Sequence, residues 1–207
     1  MLGPEEIERL SFSIIDREVP KPRPFEGDEW KVVRRMIHST ADFELLELVR
    51  FHPEAIQKGL EAIKKGCLIV TDTEMARSGI GRGRLRRWGC KIECLIGDER
   101  VRKEAEVKGT SRASAAVDLV SERINDGIYV IGNAPTALMR LLDLIEGGKC
   151  VPALVVGIPV GFVNASESKE RLIAQTKVPY ITVKGRKGGS ALAASVVNAL
   201  AEIALSR

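Results

Sequence analysis

From residue 67 onward, short aliphatic runs alternate with stretches whose apolar positions recur at helical spacing. The runs at 67–71, 91–96, 128–131, 153–156 and 180–183 are mostly apolar and end in turns, as strands buried on both faces must be. Helical patterns occupy 111–124, 135–146, 167–177 and 190–205. Within 135–146, Leu138, Leu141, Leu142 and Ile145 fall on one face. Pro135 opens that helix, where a missing N–H costs nothing, and Gly147-Gly148 stops it. Residues 1–66 read as helical throughout, with candidates at 4–19, 28–39 and 53–65 and a proline-rich link from Pro20 to Pro24. This order predicts an α/β fold: a doubly wound, mostly parallel five-stranded sheet in three α/β/α layers, with an N-terminal helical arm. There is no internal repeat, and 207 residues fit one domain, with 1–66 as its helical part and 67–207 as its α/β core.

Composition changes this picture little. With 44% hydrophobic and only 4% aromatic residues, the core must be aliphatic. No apolar run approaches the roughly 20 residues that cross a bilayer. The acidic start (Glu5, Glu6, Glu8) is unlike a signal peptide, so a cytoplasmic protein with no membrane partner is expected. Cys67, Cys90, Cys94 and Cys150 lack the spacing of a zinc site or disulfide framework and read as reduced core thiols.

Charge is more informative. Much of the net +4 comes from Arg77, Arg82, Arg84, Arg86, Arg87 and Lys91, with no acid before Glu93. Such a stretch is either a solvated loop or a grip on nucleic acid or a polyanionic small molecule. Trp88 alone supplies the aromatic interleaving that a single-strand binder uses, and no nucleic-acid partner is expected.

In an open parallel sheet, ligands gather at the carboxyl ends of the strands. Three of the segments that follow strands here are rich in Gly, Asn, Ser or Thr and run straight into helices, so free N–H groups and helix dipoles can cradle anions. None carries a phosphate-loop or dinucleotide signature. Ordinary capping explains each loop taken singly, but several on one edge favour an anionic ligand.

His38 is one of only two histidines. Arg35, one turn earlier, would disfavour its charged form, and Asp42, about one turn later, would favour it. A proton donor and a capping or core-edge histidine are both compatible with that setting. His52, before Pro53, reads as a surface turn residue.

Five segments together resemble the precorrin-8X methylmutase family, cobalt-precorrin-8 methylmutases included. They are Arg35-Met36-Ile37-His38, Asp72-Thr73-Glu74-Met75, the stretch from Gly132 to Leu138, that from Gly157 to Lys169, and Gly185-Arg186-Lys187-Gly188-Gly189-Ser190-Ala191. The resemblance runs from about Ser11 to about Leu200, with the Gly157 to Lys169 segment the most specific. It implies a flavodoxin-like homodimer with its site at the subunit interface. It also implies an isomerase of cobalamin biosynthesis that moves a methyl group between adjacent carbons of a corrinoid polycarboxylate, giving hydrogenobyrinate or cobyrinate.

By position in the family's motifs, His38 would be the catalytic acid, and Ser11, Arg35 and Arg112 would contact substrate. The strand-end loops would add Asp72, Glu74, Met75, Asn133, Ala134, Thr136, Gly161, Phe162, Ser166, Lys169, Gly185, Arg186 and Ser190. No metal or cofactor is expected: a methyl shift along a conjugated ring is an allowed rearrangement that one proton donor can trigger. Family members often carry Gly where this chain has Ala41, and an ordinary backbone is expected there. The alternatives are a non-catalytic corrinoid carrier and a nucleic-acid binder that uses Arg82 to Arg87.

Overall fold

Six strands form one sheet in the computed structural model, which describes residues 3–207. They are β1 (Val49–Phe51), β2 (Leu68–Thr71), β3 (Lys91–Cys94), β4 (Ile128–Ile131), β5 (Leu154–Gly157) and β6 (Tyr180–Val183), in the order β1-β6-β5-β4-β2-β3. Strands β2 to β6 pair in parallel, as their burial on both faces requires. Side chains alternate between two cores: Ile128 and Val130 of β4 enter one, Tyr129 and Ile131 the other.

The expected five-stranded sheet is corrected by β1. This strand pairs antiparallel with β6, Val49 opposite Val183 and Phe51 opposite Ile181, so residues 1–66 are not all helix. Three residues between helices are too few to show a period of two.

Among the described residues there are eleven helices. One face of the sheet carries α2 (Gly27–Thr40), α4 (Ala55–Lys64) and α11 (Ser190–Ser206), with the short α5 (Glu74–Gly79) and α6 (Arg82–Arg86) packed beside α11. The other carries α7 (Glu99–Lys108), α8 (Arg112–Val120), α9 (Pro135–Glu146) and α10 (Ala165–Ala174). Helix α1 (Pro4–Glu18) lies on α2, and α3 (Leu45–Leu48) leads into β1. The sequence pattern did not announce α3, α5, α6 and α7. Three are a turn or so long, and α7 buries only Val101 and Ala105 on an otherwise polar surface.

Two features place the site. The chain runs from β2 outward to β3, then crosses back over β2 to β4, β5 and β6, so the winding reverses at the neighbours β2 and β4. Their carboxyl ends are where such a sheet opens a crevice. Secondly, Asp28 pairs with Arg207 and Arg35 with Glu202, so α2 runs opposite to α11. The end of α2, with His38, is thereby carried to the start of α11 at the carboxyl edge of the sheet. Gly132 and Gly188 let the loops close there: a Cβ on Gly132 would lie 2.5 Å from Ser190 Cα, and one on Gly188 2.3 Å from Ile158 O.

Among the described residues no helix is long and apolar enough to cross a membrane. Cys67 and Cys150 are buried, whereas Cys90 and Cys94 are only half-buried, so the core-thiol reading fits the first two alone.

Candidate active site

His38 occupies the last turn of α2. Its Nδ1 lies 2.7 Å from the Ser11 hydroxyl of α1, and its ring meets Phe12 edge to face at 5.1 Å between centroids. With Nδ1 engaged, Nε2 is the nitrogen without a partner among the described residues. The imidazole lines a groove of about 340 Å³ between α1 and the end of α2. Ile7, Leu10, Ile14, Ile15, Ile37, Ala41 and Phe43 make its wall apolar, and Ser11, Glu18 and His38 are its polar groups. Ile7 and Leu10 remain more than half exposed at the rim.

The two charges expected to tune His38 are engaged elsewhere. Arg35 is buried. Its guanidinium donates to Glu8 at 3.0 Å and to Glu202, and lies 5.2 Å above the Phe12 ring. It joins α1, α2 and α11 and lines a separate pocket with Phe12 and Glu202, not the His38 groove. Asp42 accepts from Lys187 Nζ at 2.6 Å, and that hydrogen bond holds its carboxyl below the usual range. Lys187 also reaches Glu44 at 2.7 Å, so the loop after β6 is tied to the end of α2. Ala41 caps α2 with φ 53° and ψ 29°, a left-handed conformation, so the ordinary backbone expected there is corrected.

Three of the expected strand-end contacts turn inward. Asp72 is buried and accepts three backbone N–H bonds, from Gly132 at 2.9 Å, Asn133 at 2.8 Å and Ala134 at 2.7 Å. Burial raises its carboxyl above the ordinary range, and the three donors partly offset that rise. Asp72 thus fixes the β4–α9 loop at the crevice. Ser190 is buried against Thr73, hydroxyl to hydroxyl at 2.8 Å. Lys169 is fully buried, donates to Lys187 O at 2.6 Å, and is pushed down to about 8 by burial. These side chains hold loops, because each has its polar atoms spent inside the fold.

The remaining strand-end residues do gather at the carboxyl edge. Asn133 is exposed, Ala134 half-buried, and Thr136 bonds Ser111 at 2.8 Å, beside exposed Arg112 at the start of α8. Glu74 is held by Arg77 at 2.6 Å, and Met75 next to it is exposed. Gly161, at φ 149°, donates its N–H to Arg186 O at 3.2 Å, and the Arg186 guanidinium lies 5.4 Å from the Phe162 ring, itself 84% exposed. Gly185 takes φ 73°, and Ser166 donates to Glu170 at 2.9 Å.

The family model for precorrin-8X methylmutase matches residues 6–203. The chain belongs to the precorrin-8X methylmutase family. Cobalt-precorrin-8 methylmutase of Leptospira interrogans is 47% identical over 201 residues, covering 94% of this chain and 91% of the relative. The Salmonella typhimurium cobalt-precorrin-8 methylmutase is 42% identical, covering 95% and 94%. Among solved structures, the precorrin-8X methyl mutase from Thermus thermophilus superposes with a TM-score of 0.90 at 43% identity, covering 98% and 97%.

The sequence reading named both His38, as an acid, and Ser11, as a substrate contact, without pairing them; the fold brings the two within 2.7 Å. It gave no role to Thr73 or Lys187, although both lie within the segments that carry the resemblance, or to Phe43, which lies outside them. Lys187, a charge between Arg186 and Gly188 in the loop after β6, left a signal that could have drawn notice.

Proposed function

We propose that this chain is an isomerase that shifts a methyl group between adjacent ring carbons of precorrin-8X or cobalt-precorrin-8, with His38 as the proton donor. The observation that carries the reading is the Ser11–His38 hydrogen bond at 2.7 Å on the wall of an apolar groove. In the imidazolium form, Nδ1–H donates to the Ser11 oxygen while Nε2–H is left for the ligand. When Nε2 gives up its proton to the conjugated ring, Nδ1 keeps its own and stays bonded to Ser11. The histidine therefore needs no reorientation during the transfer, and the electron-poor macrocycle is left to rearrange. No nucleophile is required, and the same residues serve a metal-free or a cobalt-containing ring.

The groove takes one edge of a corrinoid, because about 340 Å³ is at the low end of small-molecule sites and a tetrapyrrole polycarboxylate is large. Two features support a homodimer that closes the site: the apolar rim at Ile7 and Leu10, and the exposed Met75, Phe162 and Val163 at the sheet edge. Arg112 and Arg186, without carboxylate partners among the described residues, suit the ring's acetate and propionate arms. The five parallel strands, in the order β3-β2-β4-β5-β6, fit a flavodoxin-like winding around that crevice. A cytoplasmic location suits a chain that acts on a soluble pathway intermediate.

The test is the visible spectrum of the substrate before and after incubation. Wild-type protein is expected to convert it, and His38→Ala protein to bind the tetrapyrrole without converting it. Full conversion by the variant would remove His38 from the chemistry. Binding by the wild type without any turnover would favour a carrier instead.

A further inference from the structure

Lys187 reaches from the β6–α11 loop to the carboxyl end of α2. Its Nζ donates to Asp42 at 2.6 Å and lies 2.7 Å from a Glu44 carboxyl oxygen, so one ammonium holds two carboxylates. Phe43, between those two in the chain, lines the His38 groove together with Ala41. Through its other carboxyl oxygen Asp42 accepts the Glu44 N–H at 3.0 Å, which folds the three residues into one turn. Helix α2 ends at Thr40 and α3 starts at Leu45, so this stretch of the groove wall belongs to no helix. Lys187 grips it from outside.

The loop that carries Lys187 is itself fixed to the sheet. Gly161 N–H donates to Arg186 O at 3.2 Å, and Gly189 N–H donates to Ile158 O at 3.0 Å. Between them the buried Lys169 ammonium donates to Lys187 O at 2.6 Å. Burying an ammonium for one carbonyl is a poor source of stability; what it secures is the backbone at Lys187. Gly188 sits so close to the sheet that a Cβ would lie 2.3 Å from Ile158 O. The Lys187 side chain therefore starts from a rigid base. With two carboxylates on it, its ammonium has little charge left for a ligand, whereas Arg186 beside it has no carboxylate partner among the described residues.

We infer that Lys187 is a positioning residue that sets the spacing between two halves of the ligand site, the Arg186 loop at the sheet edge and the His38 groove at the end of α2. The identity of the ligand rests on the methylmutase reading. A rigid macrocycle that touches both halves responds to any change in their spacing, because small misplacements weaken both its binding and its approach to a proton donor. The fold responds little, because a half-exposed ion pair adds little to stability.

The experiment measures three things on the full chain: amide exchange without ligand, Kd for cobyrinate by absorbance titration, and KM and kcat on cobalt-precorrin-8. Titrations are run at about 0.5 M salt, where long-range charge effects are screened. In Lys187→Met, amides of residues 41–45 are expected to exchange faster, and Kd and KM to rise about fivefold. A variant that merely unfolds in part would lose apparent kcat at constant KM, so the KM separates position from folding. Lys187→Arg, long enough to span both carboxylates, is expected to stay within about twofold of wild type. Lys184→Met removes the same charge from an exposed side chain of the same loop and is expected to change nothing. Asp42→Asn with Glu44→Gln keeps the oxygen that accepts the Glu44 N–H but removes both charges. It is expected to weaken cobyrinate binding as Lys187→Met does, and combining the two brings no further loss. Unchanged Kd or unchanged exchange in Lys187→Met would overturn the inference. So would tighter binding by the carboxylate variant, the result expected if Lys187 met the ligand directly. Cobyrinate binding without turnover would remove the methylmutase reading and leave Kd to decide the role of Lys187; a wild type that binds no cobyrinate would overturn both.

Discussion

The Ser11 hydroxyl meets Nδ1 of His38 at 2.7 Å, across the packing of α1 on α2. A group that holds one imidazole nitrogen fixes the direction in which the other delivers its proton. Ser11→Ala is therefore expected to lower kcat about tenfold while KM stays within roughly twofold, and Ser11→Thr to recover most of the loss. Steady-state kinetics on the corrinoid substrate check this. A raised KM with kcat unchanged would make Ser11 a substrate contact only.

Ala41 closes α2 in the left-handed region, where a Cβ costs roughly 1–2 kcal/mol. Glycine removes that cost but gives the unfolded chain more freedom. Ala41→Gly is expected to stabilise the protein by roughly 0.5–1 kcal/mol, read as a higher urea midpoint at constant m-value.

Lys169 gives stability a pH dependence whose sign follows from its depressed pKa of about 8. Below pH 8 both folded and unfolded chains hold the proton, and the full cost of burying the ammonium is present. Between about 8 and the free-lysine value of 10.5, only the unfolded chain holds it, so stability rises with pH. Wild type is expected to gain roughly 3 kcal/mol on Lys169→Met across that window, measured by chemical denaturation at several pH values. Parallel curves for the two proteins would contradict this.

Asp72 accepts the N–H groups of Gly132, Asn133 and Ala134 where the winding of the sheet reverses. Asp72→Ala would leave three donors without their acceptor. A loss of roughly 3 kcal/mol is expected, together with faster amide exchange at residues 132–134. Hydrogen-exchange mass spectrometry tests whether the loosening is local to that loop.

Much of the fold was legible because it rests on local rules. The buried strands at 128–131 and 180–183 and the helix at 135–146 fall where apolar runs, Pro135 and Gly147-Gly148 place them. Strand β1 was not legible, because its reason for being a strand is the free edge of β6 more than 120 residues later. The polar helix α7 and the short α5 and α6 take their shape from their neighbours for a similar reason.

The site divides in the same way. The sequence by itself determined that His38 stands near the end of a helix, that polar loops follow the strands, and that the motifs are those of a methylmutase family. Each is a property of residues close together in the chain. Only the tertiary structure decided that Ser11 reaches His38, that Arg35 is spent on Glu8 and Glu202, and that Asp72, Lys169 and Ser190 face inward. Hydrogen bonds and ion pairs depend on distance and direction in space. A sequence shows which groups can make them, and packing alone chooses the partner.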